Sequence, residues 1–133
     1  MSTVDFSVLD LPRTESVEDP EAYLRAVVRW HFSSATGSPY WLQRAKSLGF
    51  DPLTDVKSFD DLAPFPNVVD ELREVAVGDL IPAGYGPTPP TPRVFESGGT
   101  TGAPKRVIVM PDWDDQTVEW EVGELRNKGF IRD

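Results

Sequence analysis

The chain has 133 residues, with 22 aspartates and glutamates against 13 lysines and arginines and a formal net charge of −9. This length suits one domain with a hydrophobic core, and the acidic balance argues against a general binder of nucleic acid or anionic membranes, which needs a basic surface. The absence of cysteine excludes disulfides and thiolate metal sites. Because no apolar run approaches a membrane span and the N-terminus lacks a basic region followed by an apolar one, we expect a cytoplasmic protein.

An N-terminal arm is predicted to precede the first helix. Residues 1–18 are acidic and hydroxylated without a sustained period, so we expect an extended or weakly ordered arm there. Asp19-Pro20 has the form of an N-cap and a first helical position, which predicts a helix from Glu21 to about Phe32. His31, the only histidine, falls on the apolar face of this helix. We therefore expect it to be a partly buried packing residue rather than a catalytic base.

Further short helices are predicted between residues 38 and 78. Ser38-Pro39 opens a helix that covers 40–48 and ends at Gly49, with Tyr40 and Trp41 as packing aromatics. Ser58-Phe59-Asp60-Asp61 has the form of a capping box before a short turn. Asn67 is predicted to cap a helix that runs through Val75 and ends at Gly78.

The last third of the chain is predicted to be a β-hairpin followed by a helix. Residues 82–92 contain five prolines and two glycines, which predicts an irregular connection; it is either a domain linker or, as we prefer, a surface loop. Residues 93–110 form the hairpin, with strands at Arg93–Glu96 and Arg106–Met110. Pro111-Asp112 opens the final helix.

The final helix carries an apolar face and an acidic first turn. Val118, Val122 and Leu125 share the face, and Trp113 and Trp120 widen it as expected core residues. The acidic side chains of the first turn interact favourably with the positive end of the helix dipole. We expect them to have this role rather than to bind a metal ion.

Between the two strands lies the glycine-rich loop, which we define as Ser97–Lys105 and which has the sequence Ser-Gly-Gly-Thr-Thr-Gly-Ala-Pro-Lys. Glycines let the backbone adopt positive φ and approach a ligand closely, so that successive N–H groups can converge on an anion. Hydroxyl groups add hydrogen-bond donors, and a lysine adds positive charge. The predicted phosphate-binding residues are Ser97, Gly98, Gly99, Thr100, Thr101, Gly102 and Lys105. A Walker P-loop is excluded by spacing, because Lys105 lies between Pro104 and Arg106 instead of in a Gly-Lys-Ser/Thr run.

The glycine-rich loop resembles the phosphate-binding signature of the adenylate-forming superfamily, which includes acyl-CoA synthetases and aryl-CoA ligases. The usual family form is Thr/Ser-Ser-Gly-Thr-Thr-Gly-any-Pro-Lys-Gly. Ser97 falls on the first hydroxyl position, 99–102 on Gly-Thr-Thr-Gly, and Pro104-Lys105 on the closing pair. Gly98 stands where a serine is usual, and Arg106 stands where glycine usually follows the lysine. A weaker resemblance to aryl-CoA ligases of the phenylacetate type extends the similarity to residues 38–110.

The resemblance implies an α/β fold, α+β as a fragment, in which N-terminal helices precede a phosphate-loop hairpin and a C-terminal helix. Residues 19–133 would then be part of the N-terminal domain of an AMP-binding enzyme, with ATP and Mg²⁺ as cofactors. In the complete enzyme, a carboxylic acid would react with ATP, and the acyl group would pass to CoA or a carrier protein. No catalytic residue of the family has a counterpart here, so we expect a fragment, a truncated product or a split subunit that is inactive alone.

Two other interpretations stay open. The chain is alternatively a non-catalytic module that retains the glycine-rich loop and binds a partner, or itself, through an open apolar face around Val118, Val122 and Leu125. It is otherwise a small acidic domain in which the glycines only turn the chain.

Overall fold

The computed structural model describes residues 5–11, 16–100 and 102–132. Its helices are α1 (Pro20–Phe32), α2 (Pro39–Ala45), α3 (Pro52–Asp55), α4 (Val77–Leu80) and α5 (Pro111–Asn127), and its strands are β1 (Arg93–Ser97) and β2 (Lys105–Val109). Short 3₁₀ turns lie at Ser7–Asp10, Phe59–Leu62, Glu71–Arg73 and Ala83–Tyr85. The described residues therefore combine helices with a two-stranded antiparallel sheet, an α+β arrangement.

Helix α1 forms the centre of the helical part. Its predicted start is confirmed, because the Asp19 carboxylate accepts a hydrogen bond from the Ala22 N–H at 3.0 Å and Pro20 occupies the first turn. Leu24 and Val28 of this helix are buried together with Val56. Three partly buried aromatic residues pack against this cluster: Phe32, Phe50 and Phe65. The core is thus small and lies between α1 and the segment around α3.

Helix α2 packs on the C-terminal end of α1 through aromatic rings. Its predicted cap is confirmed, since the buried Ser38 side chain accepts from the Trp41 N–H, but the helix ends at Ala45 and continues only as turns to Leu48. The Trp41 ring meets His31 and Phe32 edge to face at centroid distances of 6.5 and 5.6 Å. His31 is half-buried, and this burial lowers the pKa of its imidazole. The expectation that His31 packs against apolar groups is confirmed.

The capping box at Ser58 is also confirmed. The Asp61 carboxylate accepts from the Ser58 N–H at 2.8 Å and from the Lys57 N–H at 2.9 Å, and these bonds lower the pKa of Asp61. The turn that follows is a single 3₁₀ turn, Phe59–Leu62.

The helix predicted from Asn67 to Val75 is wrong. The Asn67 side chain accepts from the Val69 N–H, only two residues on, and so closes a tight local turn instead of capping a helix. Helical structure in this stretch is limited to the 3₁₀ turn Glu71–Arg73, and α4 follows separately. Gly78 lies inside α4 rather than at a helix end. Several valines in this stretch disfavour a continuous helix, because branching at Cβ restricts the side chain in a helix.

Part of the predicted N-terminal arm is folded onto α1, which corrects the expectation of an extended segment. Ser7–Asp10 forms a 3₁₀ turn, and Phe6 meets the Trp30 ring edge to face at 5.4 Å. Residues 1–4 and 12–15 of the arm lie outside the described residues.

The proline-rich connection also contacts Trp30. Tyr85 meets this indole edge to face at 5.6 Å, and Gly84 lies so close that a Cβ atom there would be 2.4 Å from a ring carbon. Backbone N–H groups of Ala83 and Gly84 donate to the carbonyls of Gly37 and Thr36. The connection thus begins with a 3₁₀ turn, which was not predicted, and is irregular from Gly86 to Pro92.

The hairpin and α5 form the least buried part of the fold. In the sheet, Arg93 lies opposite Val109 and Ser97 opposite Lys105. All five residues of β1 are exposed. On α5, Trp113 is 51% exposed and Trp120 41%, so the expectation that these tryptophans lie in a core is wrong. Within residues 5–11, 16–100 and 102–132, no helix is both long and apolar enough to cross a membrane.

Candidate phosphate-binding site

The hairpin presents the glycine-rich loop at its tip. Ser97 is the last residue of β1 and Lys105 the first of β2, and the two are paired in the sheet register. The strands therefore fix both ends of the loop. Ser97, Gly98, Gly99, Thr100 and Gly102 are all exposed to solvent, whereas Thr101 lies outside the described residues.

The backbone of the glycine-rich loop uses conformations that favour glycine. Gly98 has a φ of 81° and Gly99 a φ of 115°, values that L-amino acids with a side chain rarely adopt. Gly102 follows with a φ of 156°. A Cβ atom at Gly98 would meet no heavy atom within 4 Å, so the surface above this residue is open to a ligand. The glycines thus provide accessible backbone at the hairpin tip.

Lys105 supplies positive charge at the end of the loop. Its ammonium group lies 3.5 Å from Oδ1 of Asp70, and its side chain is 28% exposed. Asp70 itself is almost fully exposed, with 88% of its side-chain surface accessible. An exposed ion pair of this kind contributes little to stability, because water screens the attraction and two flexible side chains must be held together.

Arg73 adds a second cation at the same place. Its Nε lies 3.5 Å from the same Oδ1 of Asp70, and its Nη1 donates to the backbone carbonyl of Ala103 inside the loop. The guanidinium also lies next to Gly102, since a Cβ built there would be 4.0 Å from Nη1. The 3₁₀ turn Glu71–Arg73 therefore forms one wall beside the loop.

Arg106 connects β2 to the 3₁₀ turn Glu71–Arg73. Its Nη2 donates to the backbone carbonyl of Arg73 at 3.2 Å, and its side chain is half-buried. Arg106 follows the loop lysine directly, so this bond holds the end of the loop against the turn. Where the resembled family usually has glycine, this chain has an arginine with a structural contact.

The concave features found in the described residues lie away from the loop. A cavity of about 30 Å³ lies between α1 and α3, lined by Val28, Pro52 and Val56 among others. A shallow surface depression is formed by residues 45–46 and 49–52. Among the residues that the structure describes, no three His, Asp or Glu side chains converge as a metal site.

Sequence reasoning missed Asp70 and Arg73. The sequence predicts a helix over both residues, and no local pattern connects their charges with the loop, which lies about 30 residues further along the chain. The one signal present in the sequence is a basic residue in a segment placed before the hairpin, and such residues are common on protein surfaces. Their role becomes visible only through the tertiary contact between this turn and β2.

No protein-family model matches the chain, and a comparison with curated proteins finds no similar sequence.

Proposed function

We propose that this chain supplies the ATP phosphate-binding loop of a carboxylate-activating, adenylate-forming ligase, as a segment of its N-terminal domain. The observation that supports the proposal most directly is the glycine-rich loop itself. It combines the residue order of that family's signature with exposure at a hairpin tip, positive φ at Gly98 and Gly99, and a lysine at its end.

Each part of the loop suits the binding of a polyphosphate. Backbone N–H groups near the glycines can approach phosphate oxygens, because no side chain intervenes. Ser97 and Thr100 carry exposed hydroxyl groups at the two sides of these glycines. Lys105 carries a positive charge that can neutralise phosphate. During adenylation, these groups would orient the β- and γ-phosphates while charge develops on the departing pyrophosphate.

In this proposal, ATP would bind as its complex with Mg²⁺. Since no cluster of three acidic or histidine ligands is found in the described residues, Mg²⁺ would be held mainly by the phosphates and water. When bound, the metal ion would further neutralise the charge on the departing pyrophosphate. The carboxylic acid and its CoA or carrier-protein acceptor would bind to other parts of the enzyme.

The proposal is tested by titrating the chain with MgATP and with magnesium pyrophosphate, observed by amide NMR shifts. We expect weak binding that shifts resonances from Ser97 to Lys105, and we expect Lys105→Ala to abolish it. Lys57→Ala is the matched control, because Lys57 is exposed and its backbone contact lies at the distant capping box. Equal binding by the two lysine variants, or no shifts in the loop of the unsubstituted chain, would contradict the proposal.

A second candidate function is favoured by the exposed apolar surface of the hairpin and α5. Phe95 and Val107, which lie opposite each other in the sheet, are 49% and 46% exposed, and Val118 of α5 is 55% exposed. Such a surface suits contact with a further protein segment or a second copy of the chain. In this alternative the loop is retained without activity.

The alternative is distinguished by sedimentation velocity over a range of protein concentrations. Association that increases with concentration and is lost in Val118→Asp, with no phosphate binding in the NMR titration, would favour the second candidate. Phosphate binding by a chain that sediments as a monomer would favour the first.

A further inference from the structure

One carboxylate oxygen holds two cations beside the glycine-rich loop. Oδ1 of Asp70 lies 3.5 Å from Lys105 Nζ and 3.5 Å from Arg73 Nε. A phosphate oxygen that bridged a lysine and an arginine would carry the same kind of charge and accept the same kind of bond. The carboxylate of Asp70 therefore lies between the two cations in the way that an anionic group of a ligand would.

We propose that Arg73 is a second phosphate-binding cation of this site and that Asp70 is an internal competitor, which a bound polyphosphate displaces from Lys105 and Arg73. This inference rests on the proposed function of the loop. It adds Arg73, which lies outside the family-like signature, to the phosphate-binding residues. It also identifies Asp70 as an acidic residue that weakens ligand binding.

The position of Arg73 supports a direct contact with the ligand. Its Nη1 already reaches the loop at Ala103, and its Nε faces the carboxylate that Lys105 shares. Only 23% of its side-chain surface is exposed, and the side chain extends from the turn to the loop, where it contacts Ala103. The guanidinium is thus held in place before a ligand arrives, which lowers the entropy lost on binding.

The position of Asp70 supports its displacement. Its side chain is 88% exposed and can turn into solvent without burying its charge. The ion pairs it forms are of the exposed kind, whose contribution is small. A polyphosphate with Mg²⁺ carries more charge than one carboxylate and should replace it.

Charge balance gives the same result. Lys105, Arg73 and Arg106 bring three positive charges to this surface of a chain whose formal net charge is −9. Asp70 offsets one of them. Removing its charge frees Lys105 and Arg73 from the carboxylate that they share.

The test measures the affinity for magnesium pyrophosphate of five variants beside the unsubstituted chain: Asp70→Asn, Arg73→Gln, Arg73→Lys, Lys105→Ala and the control Asp60→Asn. We expect Asp70→Asn to tighten binding by about two- to tenfold, the range that follows from loss of one or two exposed ion pairs. Arg73→Gln should weaken it about tenfold, because a charge-assisted hydrogen bond is lost. Arg73→Lys should restore part of the affinity. Asp60→Asn, which removes an equal charge at an exposed residue of another turn, should change it little.

The direction of the change separates this role from a structural one. If Asp70 and Arg73 only hold the loop in shape, both Asp70→Asn and Arg73→Gln should weaken binding. Thermal melts of each variant identify any that fail to fold, and the near-isosteric, exposed Asp70→Asn variant is the one on which the conclusion depends.

The outcomes also separate this inference from the proposed function. If the unsubstituted chain binds, Lys105→Ala does not, and Asp70→Asn binds no more tightly, the competitor role is overturned while the loop function stands. If no protein binds, including Asp70→Asn, both are overturned. Binding detected only in Asp70→Asn would contradict the proposed function of the unsubstituted chain and would overturn the inference as well, because the inference requires a bound polyphosphate to displace Asp70.

Discussion

The hydroxyl of Tyr85 donates to the carboxylate of Asp112, whose two oxygens lie 3.0 and 2.8 Å away. Tyr85 also packs its ring against Trp30, so this contact joins the helical part of the protein to the first turn of α5. Burial and the neighbouring carboxylate raise the pKa of Tyr85, which therefore keeps its proton and its role as donor.

We expect Tyr85→Phe to lower the free energy of unfolding by about 1 kcal/mol, since it removes the hydrogen bond but keeps the ring. Urea denaturation followed by circular dichroism measures the change. Tyr23→Phe is the control, because the hydroxyl of Tyr23 makes no such carboxylate contact within the part of the chain that the structure describes. Equal stability of Tyr85→Phe and the unsubstituted chain would show that the bond to Asp112 does not join the two parts.

Replacement of Gly37 by alanine should destabilise the protein strongly. An added Cβ would lie 2.3 Å from the backbone carbonyl oxygen of His31 and 2.9 Å from a methyl group of Leu42. Because the first contact is with backbone, relief requires movement of α1 relative to α2, and we expect a loss of about 1–3 kcal/mol.

Gly78→Ala provides the matched comparison for Gly37→Ala. Gly78 lies in α4, and a Cβ there would meet nothing within 4 Å. Alanine at this helical residue should stabilise by about 0.5–1 kcal/mol. Thermal melts of the two variants should therefore move in opposite directions, and a similar shift of both would contradict the packing described at Gly37.

Stability is expected to fall as pH drops below 6.5, the ordinary pKa of histidine, because burial lowers the pKa of His31 in the folded state. The unfolded chain then binds the proton more tightly, so protonation favours unfolding from 6.5 down to the lowered folded pKa. Above this window the neutral imidazole has no such effect. Its Nδ1 is buried without a hydrogen-bond partner among the described residues, which is consistent with a neutral ring.

His31→Leu isolates this contribution, since aspartates and glutamates titrate in both proteins. Free energies of unfolding measured from about pH 7 to about pH 5 should decline less steeply in the variant. Parallel curves for the two proteins would contradict a lowered pKa at His31.

Gly98→Ser, which introduces the serine usual in the resembled signature, should not improve phosphate binding. The φ of 81° at this residue disfavours any side chain, and the expected penalty is about 1–2 kcal/mol. Part of this cost should appear as weaker affinity for magnesium pyrophosphate, because the loop would leave its present conformation. Tighter binding by Gly98→Ser would mean that the added hydroxyl outweighs the strain.

Local signals were sufficient for several elements. The start of α1 follows from Asp19-Pro20, and the turn after Ser58 follows from its spacing to Asp61; both depend on contacts within four residues. The hairpin is predicted by two segments rich in valine, isoleucine and phenylalanine on either side of the glycines, and the register that pairs Ser97 with Lys105 confirms it.

Sequence patterns failed to predict the structure where it depends on contacts between distant parts of the chain. Asn67 can cap a helix or close a tight turn, and its own sequence does not decide between these. The exposure of Trp113 and Trp120 depends on what packs against α5, and the spacing of apolar residues along the helix carries no information about that. The pairing of Asp70 with Lys105 likewise requires two segments to meet that are far apart in the chain.

The sheet consists of two strands, so each of them has an outer edge along which no third strand of the described structure runs. Main-chain N–H and C=O groups on such an edge form a template that an extended peptide can join by strand addition. An isolated hairpin is only marginally stable in water, and an added strand would stiffen it. Any chain segment that docks on β2 would therefore restrict the motion of Lys105, which is the first residue of that strand and the last residue of the glycine-rich loop.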